Sequence, residues 1–448
     1  MIGWLNMIKH YPGEPQIYQI LRGFGKNYLD SKPWPNRKDE HWKYNSLDVF
    51  KNQFNEPTLP KNSEQLELKK SLSSGIQIVF INGIFCEEKS TLETHFINSI
   101  NKDAQHDQNL RIMPLKVAIE KGVYPKLDLG HPKHSFEALN LYNLSEGVYI
   151  EIKDNAQIDF PIEILFVDTT PAGSAFHPRL IVAMGKNSVA TIFENYLSLN
   201  DNLNNFNEHN KTNQPTQQST NPFKTQEPSN WTNGIVDVFS SENSKLIWAK
   251  IQNQSPTHLH FSKTQFNLEE KSHLHFLTVA IGGKFHKHDL NFSINGPQVE
   301  LVTHGISIGR ESSQIDHQVE VVFNKGESQL EQKFKSILND TAQSIFTGKI
   351  VIQKYSQKIN ASQLCQNLLL SDKAEANTQP QLEIYADDVK AAHGATTGQL
   401  NADEIFYLQS RGISKSKAIQ LLQSGFALEL IEQFPNDLIK NYLKEVIL

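Results

Sequence analysis

From about Leu141 onward, apolar and polar residues alternate in short stretches that are separated by turn residues. In Asp289–Ile294, the residues Leu290, Phe292 and Ile294 fall on one face of an extended chain and polar residues fall on the other. This alternation predicts half-buried β-strands. The stretches that show it are Val148–Ile152, Ile162–Val167, Leu180–Ala183, Ser188–Tyr196, Lys245–Ile251, Ser272–Ile281, Asp289–Ile294, Gln298–Thr303, Gln318–Phe323 and Lys349–Ile352.

Turn signals separate these strands at a regular interval, for example Gly282-Gly283, Asn295-Gly296-Pro297 and Asn324-Lys325-Gly326. Strand and turn together repeat roughly every 13–16 residues. No long helical pattern interrupts the series, which argues against a doubly wound α/β fold. The residues therefore predict a mainly β core, and they leave a sandwich, a propeller and a β-helix open.

The two ends of the chain show a helical rather than a strand-like pattern of apolar residues. Ile17–Asp30 carries apolar residues at helical spacing, and a helical tail begins at Asn401, a candidate N-cap with Glu404 as its partner. Ser414 and Asn436 are candidate caps of two further helices. We therefore predict a mainly helical N-terminal region (1–140), a β core (141–390) and a C-terminal helical domain (391–448).

One stretch of the β core has no strand pattern. Residues 200–233 are rich in Asn, Gln and Thr and contain few apolar side chains. Such a segment buries too little surface to offset the entropy of ordering its backbone. We predict a disordered insertion here.

Composition narrows the setting in which the chain works. Of 448 residues, 38% are hydrophobic and 21% are charged, and the net charge of −6 gives no reason to expect nucleic-acid binding. There are two cysteines, Cys86 and Cys365, so we expect no disulfide framework and a reducing, cytoplasmic location. No apolar run is long enough to predict a signal peptide or a membrane span.

His393 is the first candidate for chemistry, because it lies in a Gly-flanked stretch that follows Asp387 and Asp388. An imidazole can ligate iron or zinc, and a nearby carboxylate can fix its tautomer. The competing interpretation is a histidine that is hydrogen-bonded in a strand-to-helix turn. The residues alone favour that structural role.

Other candidate sites are weaker. The pairs His258/His260, His273/His275 and His286/His288 each place two imidazoles on one face of a strand, but a chain with 17 histidines forms such pairs partly by chance. Gly348-Lys349 lacks the upstream glycine of a phosphate-binding loop. A β-helix carbohydrate-active enzyme needs two placed acids and stacking aromatics, and the chain has five Trp.

Several motifs nevertheless occur together in a fixed order. Asp387-Asp388-Val389-Lys390 is followed by His393-Gly394-Ala395-Thr396 and then by Phe406-Tyr407-Leu408-Gln409-Ser410-Arg411-Gly412. Near the N-terminus, Glu40-His41-Trp42-Lys43-Tyr44 follows a proline and a basic residue. This set resembles the SufD branch of the SufB/SufD family of iron–sulfur cluster assembly scaffolds. The resemblance implies a right-handed parallel β-helix between an N-terminal mixed or helical region and a C-terminal helical domain.

The resemblance also implies a site and partners. His393 would be a ligand of a transient iron–sulfur cluster shared with SufB. Asp387 and Asp388 would contact the imidazole of His393 without binding the cluster themselves. The β-helix ends would pair with SufB, or with a second copy when the chain is alone. The C-terminal helices would dock the ATPase SufC through a candidate surface made of Phe406, Tyr407, Leu408, Arg411 and Gly412.

The implied role is a scaffold rather than an enzyme, in which SufC and not this chain binds ATP. FAD is a further candidate cofactor of the complex. Many family members carry Cys two residues before the histidine, but here that residue is Ala391. Trp42 and Tyr44 are expected to anchor a loop to the fold, and Cys86 and Cys365 to be structural.

Two alternatives stay open at this point. A SufB-like paralogue is the nearest rival, although SufB-like tails carry Glu after the histidine and this chain has Gly394. The second alternative is the carbohydrate-active enzyme, which ranks lower because no secretion signal is predicted.

Overall fold

A computed structural model describes residues 16–32, 34–45, 47, 50, 68, 71–91, 109–123, 132–144, 147–169, 173–199 and 230–447. Its helices are α1 (Gln16–Ser31), α2 (Leu115–Glu120), α3 (Ser135–Tyr142), α4 (Ala402–Ser410), α5 (Lys415–Glu432) and α6 (Asp437–Ile447), with short 3-10 turns at Glu40–Trp42 and Glu87–Lys89. No helix in these ranges has both the length and the apolar character needed to cross a bilayer.

The rest of the described structure is dominated by β-strands. They are β1 (Ile76–Ile81), β2 (Ile84–Phe85), β3 (Leu110–Pro114), β4 (Gly147–Ile152), β5 (Gln157–Asp168), β6 (Ala175–Phe176), β7 (Arg179–Met184), β8 (Val189–Ser198), β9 (Trp231–Ser240), β10 (Lys245–Asn253), β11 (Leu259–Leu268), β12 (His273–Ala280), β13 (Phe285–Ile294), β14 (Glu300–Gly309), β15 (Gln314–Phe323), β16 (Gln329–Leu338), β17 (Gln343–Ile352), β18 (Ile359–Leu369), β19 (Glu375–Ile384) and β20 (Val389–Gln399).

The strands form two long sheets that face each other. Sheet I has the order β2-β1-β5-β8-β10-β12-β14-β16-β18-β20, and sheet II has the order β19-β17-β15-β13-β11-β9-β7-β4-β3 with β6 beside β9. From β7 onward the chain passes to and fro between the sheets, and each strand pairs in parallel with the equivalent strand of the next turn. This arrangement is a parallel β-helix, so the predicted fold class is confirmed.

The interior between the sheets is filled by alternate residues of each strand. Leu290, Phe292 and Ile294 of β13 are almost fully buried in one cluster that also contains Trp248 and Phe276 from sheet I. The face predicted from their alternation is therefore the inward face. Because each turn places its apolar side chains over those of the turn before, the core continues along the whole axis.

Sharp corners between strands are made by residues with positive φ. Asn243, Lys271, Gln298 and Glu327 have φ values between 56° and 62° and occupy equivalent corners of successive turns. Stacked corners leave little room between them. A Cβ on Gly296 would lie 2.0 Å from the backbone nitrogen of Glu270 in the preceding turn.

The N-terminal region covers the outer face of sheet II. Trp42 is buried against Phe136 and Phe261, with ring centroids 4.8 and 6.2 Å away. Tyr44 accepts a hydrogen bond from Gln379 of β19 through its hydroxyl group. The expectation that both aromatics anchor the segment to the fold agrees with these contacts.

The C-terminal helices cover the outer face of sheet I. Leu430, Ile431, Ile439 and Leu443 of α5 and α6 are fully buried, and they belong to one cluster with Ile251 and other residues of the sheet. Lys335 of β16 also donates a 3.1 Å hydrogen bond to the carbonyl oxygen of Phe426. The helices therefore lie along the side of the β-helix rather than across its end.

Two predicted boundaries need correction. Strand β20 extends to Gln399, so the β core does not end at residue 390. The described part of 1–140 holds β1, β2 and β3 beside its helices, in agreement with the mixed or helical N-terminal region of the predicted fold class. Within the predicted insertion 200–233, residues 200–229 lie outside the described residues, and Trp231–Asn233 begin β9 instead.

The packing of α5 on sheet I predicts that replacing a leucine by alanine costs more stability on the buried face of this helix than on its exposed face. Leu430→Ala removes a fully buried side chain, and we expect it to lower the free energy of unfolding by about 2–5 kcal/mol. Leu421→Ala on the same helix, where the leucine is 43% exposed, should cost less than about 0.5 kcal/mol. Urea unfolding of the full chain measures both, and equal shifts of the two midpoints would contradict the packing.

Candidate functional site

The last turn of the β-helix is open. Among the described strands, β19 pairs only with β17 and β20 pairs only with β18, so each forms the end of its sheet. The outer edges of both strands carry backbone N–H and C=O groups that no described strand satisfies. Around them Ile384 and Tyr385 are 40% and 60% exposed. Inward-facing side chains of the final turn are therefore accessible from the end of the β-helix.

His393 lies within β20, not in a turn. It shares a strand face with Val389 and Ala391, and both of these pack against the interior cluster. Its register partner is Gln363, and the same row continues inward through Gln332 and Thr303. The imidazole is therefore on the interior face of the strand. It is nevertheless exposed, because no further described turn covers this row.

The row behind His393 is polar but uncharged. Thr303, Gln332 and Gln363 are buried, and their side-chain oxygen and nitrogen atoms have no hydrogen-bond partner among the described residues. Beside this row, Asn367 donates to the hydroxyl groups of Thr378 and Thr397 at 3.0 and 3.1 Å. The open turn thus offers one basic nitrogen ligand in neutral polar surroundings.

Asp387 and Asp388 are not brought next to His393. Both are exposed and precede the first residue of β20, where the backbone carbonyl of Asp388 accepts a 2.6 Å hydrogen bond from the backbone N–H of Lys358. His393 is five positions further along the extended chain than Asp388, a span of roughly 16 Å. The two carboxylates therefore lie before the start of the strand, beyond hydrogen-bond reach of the imidazole in its middle.

Neither cysteine offers a second ligand at this end. Cys365 is fully buried one turn below β20, and burial raises the pKa of its thiol to about 11. A thiol with that pKa stays protonated at neutral pH and is a poor ligand. Cys86 is also buried, near β1. Ala391, where a cysteine would share the face of His393, supplies only a methyl group.

Helix α4 exposes the residues of the second candidate site. None of its residues is buried, and Phe406 and Tyr407 are 71% and 57% exposed. The guanidinium of Arg411 lies 5.3 Å from the centre of the Tyr407 ring. Gly412 ends the helix with a φ of 85°, a conformation that favours glycine. Leu408 is partly exposed, so the predicted surface is accessible to a partner.

The three His-x-His pairs lie in different environments. His273 and His275 are on the outward face of β12, where His275 contacts Phe434. His260, His286 and His288 point into the interior of the β-helix. The sequence missed one partner of this inner group, His317 of β15, which lies beside His288 in the ladder.

Comparison with known proteins agrees with this architecture. The model of the family described as "SUF system FeS cluster assembly, SufBD core domain" matches residues 216–426. An iron–sulfur cluster assembly SufBD family protein of Synechocystis is 30% identical over 445 residues, which cover 97% of this chain and 91% of that protein.

Two further relatives span most of the chain. The iron–sulfur cluster assembly protein SufD of Escherichia coli is 26% identical over 432 residues, covering 95% of this chain and 90% of that protein. The chloroplastic protein ABCI7 of Arabidopsis thaliana is 26% identical over 467 residues, covering 97% and 87%. Taken with the two-sheet β-helix and its open last turn, these similarities mean that the chain belongs to the SufBD family of the SUF system for iron–sulfur cluster assembly.

Proposed function

We propose that this chain is a SufD-type, non-catalytic scaffold that pairs with SufB through its open last turn and docks SufC through α4. A nascent iron–sulfur cluster is held at the seam with SufB, and His393 supplies one of its ligands. The observation that carries this proposal is the exposed imidazole on the inward face of the terminal strand.

Unpaired strand edges support the pairing step. Two terminal strands of about ten residues each present free backbone donors and acceptors, and proteins normally cover or interrupt such edges. A second β-helix placed end to end would satisfy them by adding strands to both sheets. Exposed Ile384 and the partly exposed Leu382 and Val389 would become the apolar part of that interface.

The ligand count supports a shared cluster. Iron–sulfur clusters usually take four protein ligands, mostly thiolates, and histidine replaces cysteine in some of them. This end of the chain offers His393, while Cys365 stays buried and protonated. The remaining ligands therefore come from SufB, so neither chain assembles the cluster alone.

The exposed helix supports docking of SufC. Phe406 and Tyr407 are two adjacent exposed aromatic side chains on one helix, and aromatic residues are enriched at the centres of protein interfaces. In this assignment SufC binds the ATP, and FAD remains a candidate cofactor of the assembled complex. A SufB-like role is the second candidate, and Gly394 in place of the glutamate of SufB-like tails speaks against it.

The pairing surface predicts sensitivity to a buried charge. Ile384→Asp would place a carboxylate in the apolar part of the seam, so we expect roughly tenfold or greater weakening of SufB binding. Leu199→Asp is the matched control, because Leu199 is 39% exposed and follows β8, several turns from the open end. Titration of SufB against each variant measures the affinities. Equal binding by both variants would place the interface elsewhere.

If His393 is a shared cluster ligand, its loss should lower the cluster content of the complex without preventing assembly of the complex. His393→Ala removes an exposed side chain, so the monomer should fold normally and SufB and SufC should still bind. Iron and sulfide per reconstituted complex should fall to less than half, because one ligand is lost. His273→Ala, on the outward face of β12, should leave both values unchanged. Normal iron and sulfide in the His393→Ala complex would remove this residue from the site.

The docking helix predicts a partner defect without a folding defect. Phe406→Ala and Tyr407→Ala alter side chains that the fold does not bury, so the melting temperature should stay within about a degree. SufC binding should weaken roughly tenfold or more in each variant, as expected for aromatic anchors of an interface. Tyr355→Ala, at an 83% exposed tyrosine between β17 and β18, is the control. Full SufC binding by both α4 variants would refute the docking surface.

A further inference from the structure

Four histidines of sheet II face the interior of the β-helix on three successive strands. They are His260 of β11, His286 and His288 of β13 and His317 of β15. His260 pairs with His286 in the ladder, and His288 pairs with His317. Each imidazole is 2% exposed or less, so the group is closed off from solvent.

Three of these imidazoles form a compact triangle. Residues two apart on β13 share a face, and β15 adds its histidine one strand spacing away. One ring nitrogen from each of His286, His288 and His317 lies within 4.8 Å of the other two. Tetrahedral bonds of 2.0–2.1 Å require nitrogens about 3.4 Å apart. The backbone already holds the three rings on the inward face of two adjacent strands, so on binding the side chains would have to rotate to close that difference.

The hydrogen-bond inventory of the triangle is incomplete. Neither ring nitrogen of His286 or His317 has a hydrogen-bond partner among the described residues, and the same holds for Nδ1 of His288. A buried polar atom left without a partner costs roughly 1–3 kcal/mol, and such atoms are rare in native interiors. A metal ion would accept one lone pair from each ring.

Contacts around the triangle favour ligation by one specific nitrogen. Nε2 of His288 lies 3.0 Å from Oγ1 of Thr264. If Nε2–H donates to this hydroxyl oxygen, the lone pair on Nδ1 points towards the other two rings. Metal-bound histidines commonly have such a partner on the second nitrogen, which fixes the tautomer. The ring of His260 stacks on His286 at 5.1 Å, and its Nδ1 lies 2.8 Å from Oε1 of Gln254.

The electrostatic setting keeps the rings neutral. Burial holds the pKa of His286 and His288 well below the usual value for histidine, and lowers the pKa of His317 to about 3. Neutral imidazole is the form that binds metals. The positive charge of Lys250 acts on all three rings. Its Nζ lies 3.5 Å from a carboxylate oxygen of Glu194, and burial lowers the pKa of Lys250.

We propose that His286, His288 and His317 bind one divalent first-row transition ion inside the β-helix, with Thr264 orienting His288. Imidazole suits Zn²⁺ and Fe²⁺ alike, so the donor set fixes the class of ion and not its identity. The ion links β13 to β15, two adjacent turns of sheet II. The site is separate from His393 of β20, which lies about two and a half turns beyond β15 and three and a half turns beyond β13, roughly 12–17 Å along the axis. It does not depend on the proposed role of that residue.

Because the site is closed off from solvent, the metal ion must be supplied while the chain folds. The full chain is expressed in medium supplemented with Zn²⁺, or anaerobically with Fe²⁺, so that the metal is present while the chain folds. After gel filtration in EDTA, elemental analysis should find about one ion per chain. Comparison of the zinc and iron preparations shows which of the two metals the site retains. Chain refolded with Co²⁺ should show the visible absorption of a nitrogen-ligated site.

Two variants and a control test the ligands. His317→Phe keeps a ring between Phe334 and Phe346, so the variant is expected to fold, and His288→Asn keeps a polar side chain of smaller size. Both should retain less than a tenth of the metal found in the parent chain. His273→Ala, a member of an outward-facing His-x-His pair, should retain all of it.

Three results would overturn the proposal. One is a parent chain that retains no metal from any of these preparations. Another is a folded His317→Phe variant that retains the full amount. Anomalous diffraction from crystals of the metal-loaded parent gives the third measurement and needs no variant. A peak between β13 and β15 supports the site, and a peak elsewhere or none rejects it.

Discussion

The structure depends on the backbone hydrogen bonds that each turn makes with the turn before it. Every strand of a parallel β-helix satisfies one edge of its predecessor and leaves its own far edge open, so the fold must end somewhere. At the N-terminal end the edges are short, because sheet I ends in the antiparallel β2 and sheet II in the antiparallel β3. At the other end β19 and β20 have two long edges that pair with no strand in the described part of the chain. On the proposed assignment, this asymmetry selects the end at which SufB pairs.

The interior is divided into two kinds of surface, and this division decides where chemistry can be placed. One side is an apolar stack around Trp248, Phe276 and Phe292. The other side contains the histidines of sheet II, the pair Lys250–Glu194 and the glutamines that lead towards His393. A purely structural core would gain stability from apolar residues at these positions, because buried polar groups cost free energy unless they are paired. These residues include the three histidines of the proposed metal site.

Sequence reasoning predicted the strands whose inward residues are apolar and missed those whose inward residues are polar. Leu290, Phe292 and Ile294 alternate clearly with polar residues, and they lie in β13, as this alternation predicted. Strand β11 holds His260, Ser262 and Thr264 at inward positions, so its pattern did not look like a buried face. Strand β20 contains mainly small and polar residues, and it is a strand because its backbone pairs with β18 over eleven positions. Its own side chains carry almost no signal.

The same limit explains the outcome at the candidate sites. Asn401, Ser414 and Asn436 were predicted as helix caps from local sequence, and each accepts a hydrogen bond from a backbone N–H of the first turn. His393 was identified through motifs, but its position on a strand, away from Asp387 and Asp388, depends on register that no local pattern contains. The partnership of His288 with His317 likewise joins residues that are separated by a full turn of the β-helix.

Continuity between β20 and α4 links the two proposed partner surfaces. The strand ends at Gln399 and the helix begins at Ala402, so only two residues separate the open edge from the exposed helix. Helices α5 and α6 are fixed to sheet I by a cluster of buried residues, whereas none of the residues of α4 is buried. Of these three helices, α4 is therefore the one with no buried side chain to hold it in place. On the proposed assignment, a displacement of SufC would act on the terminal strand, and so on the seam that holds His393, before it disturbed the rest of the β-helix.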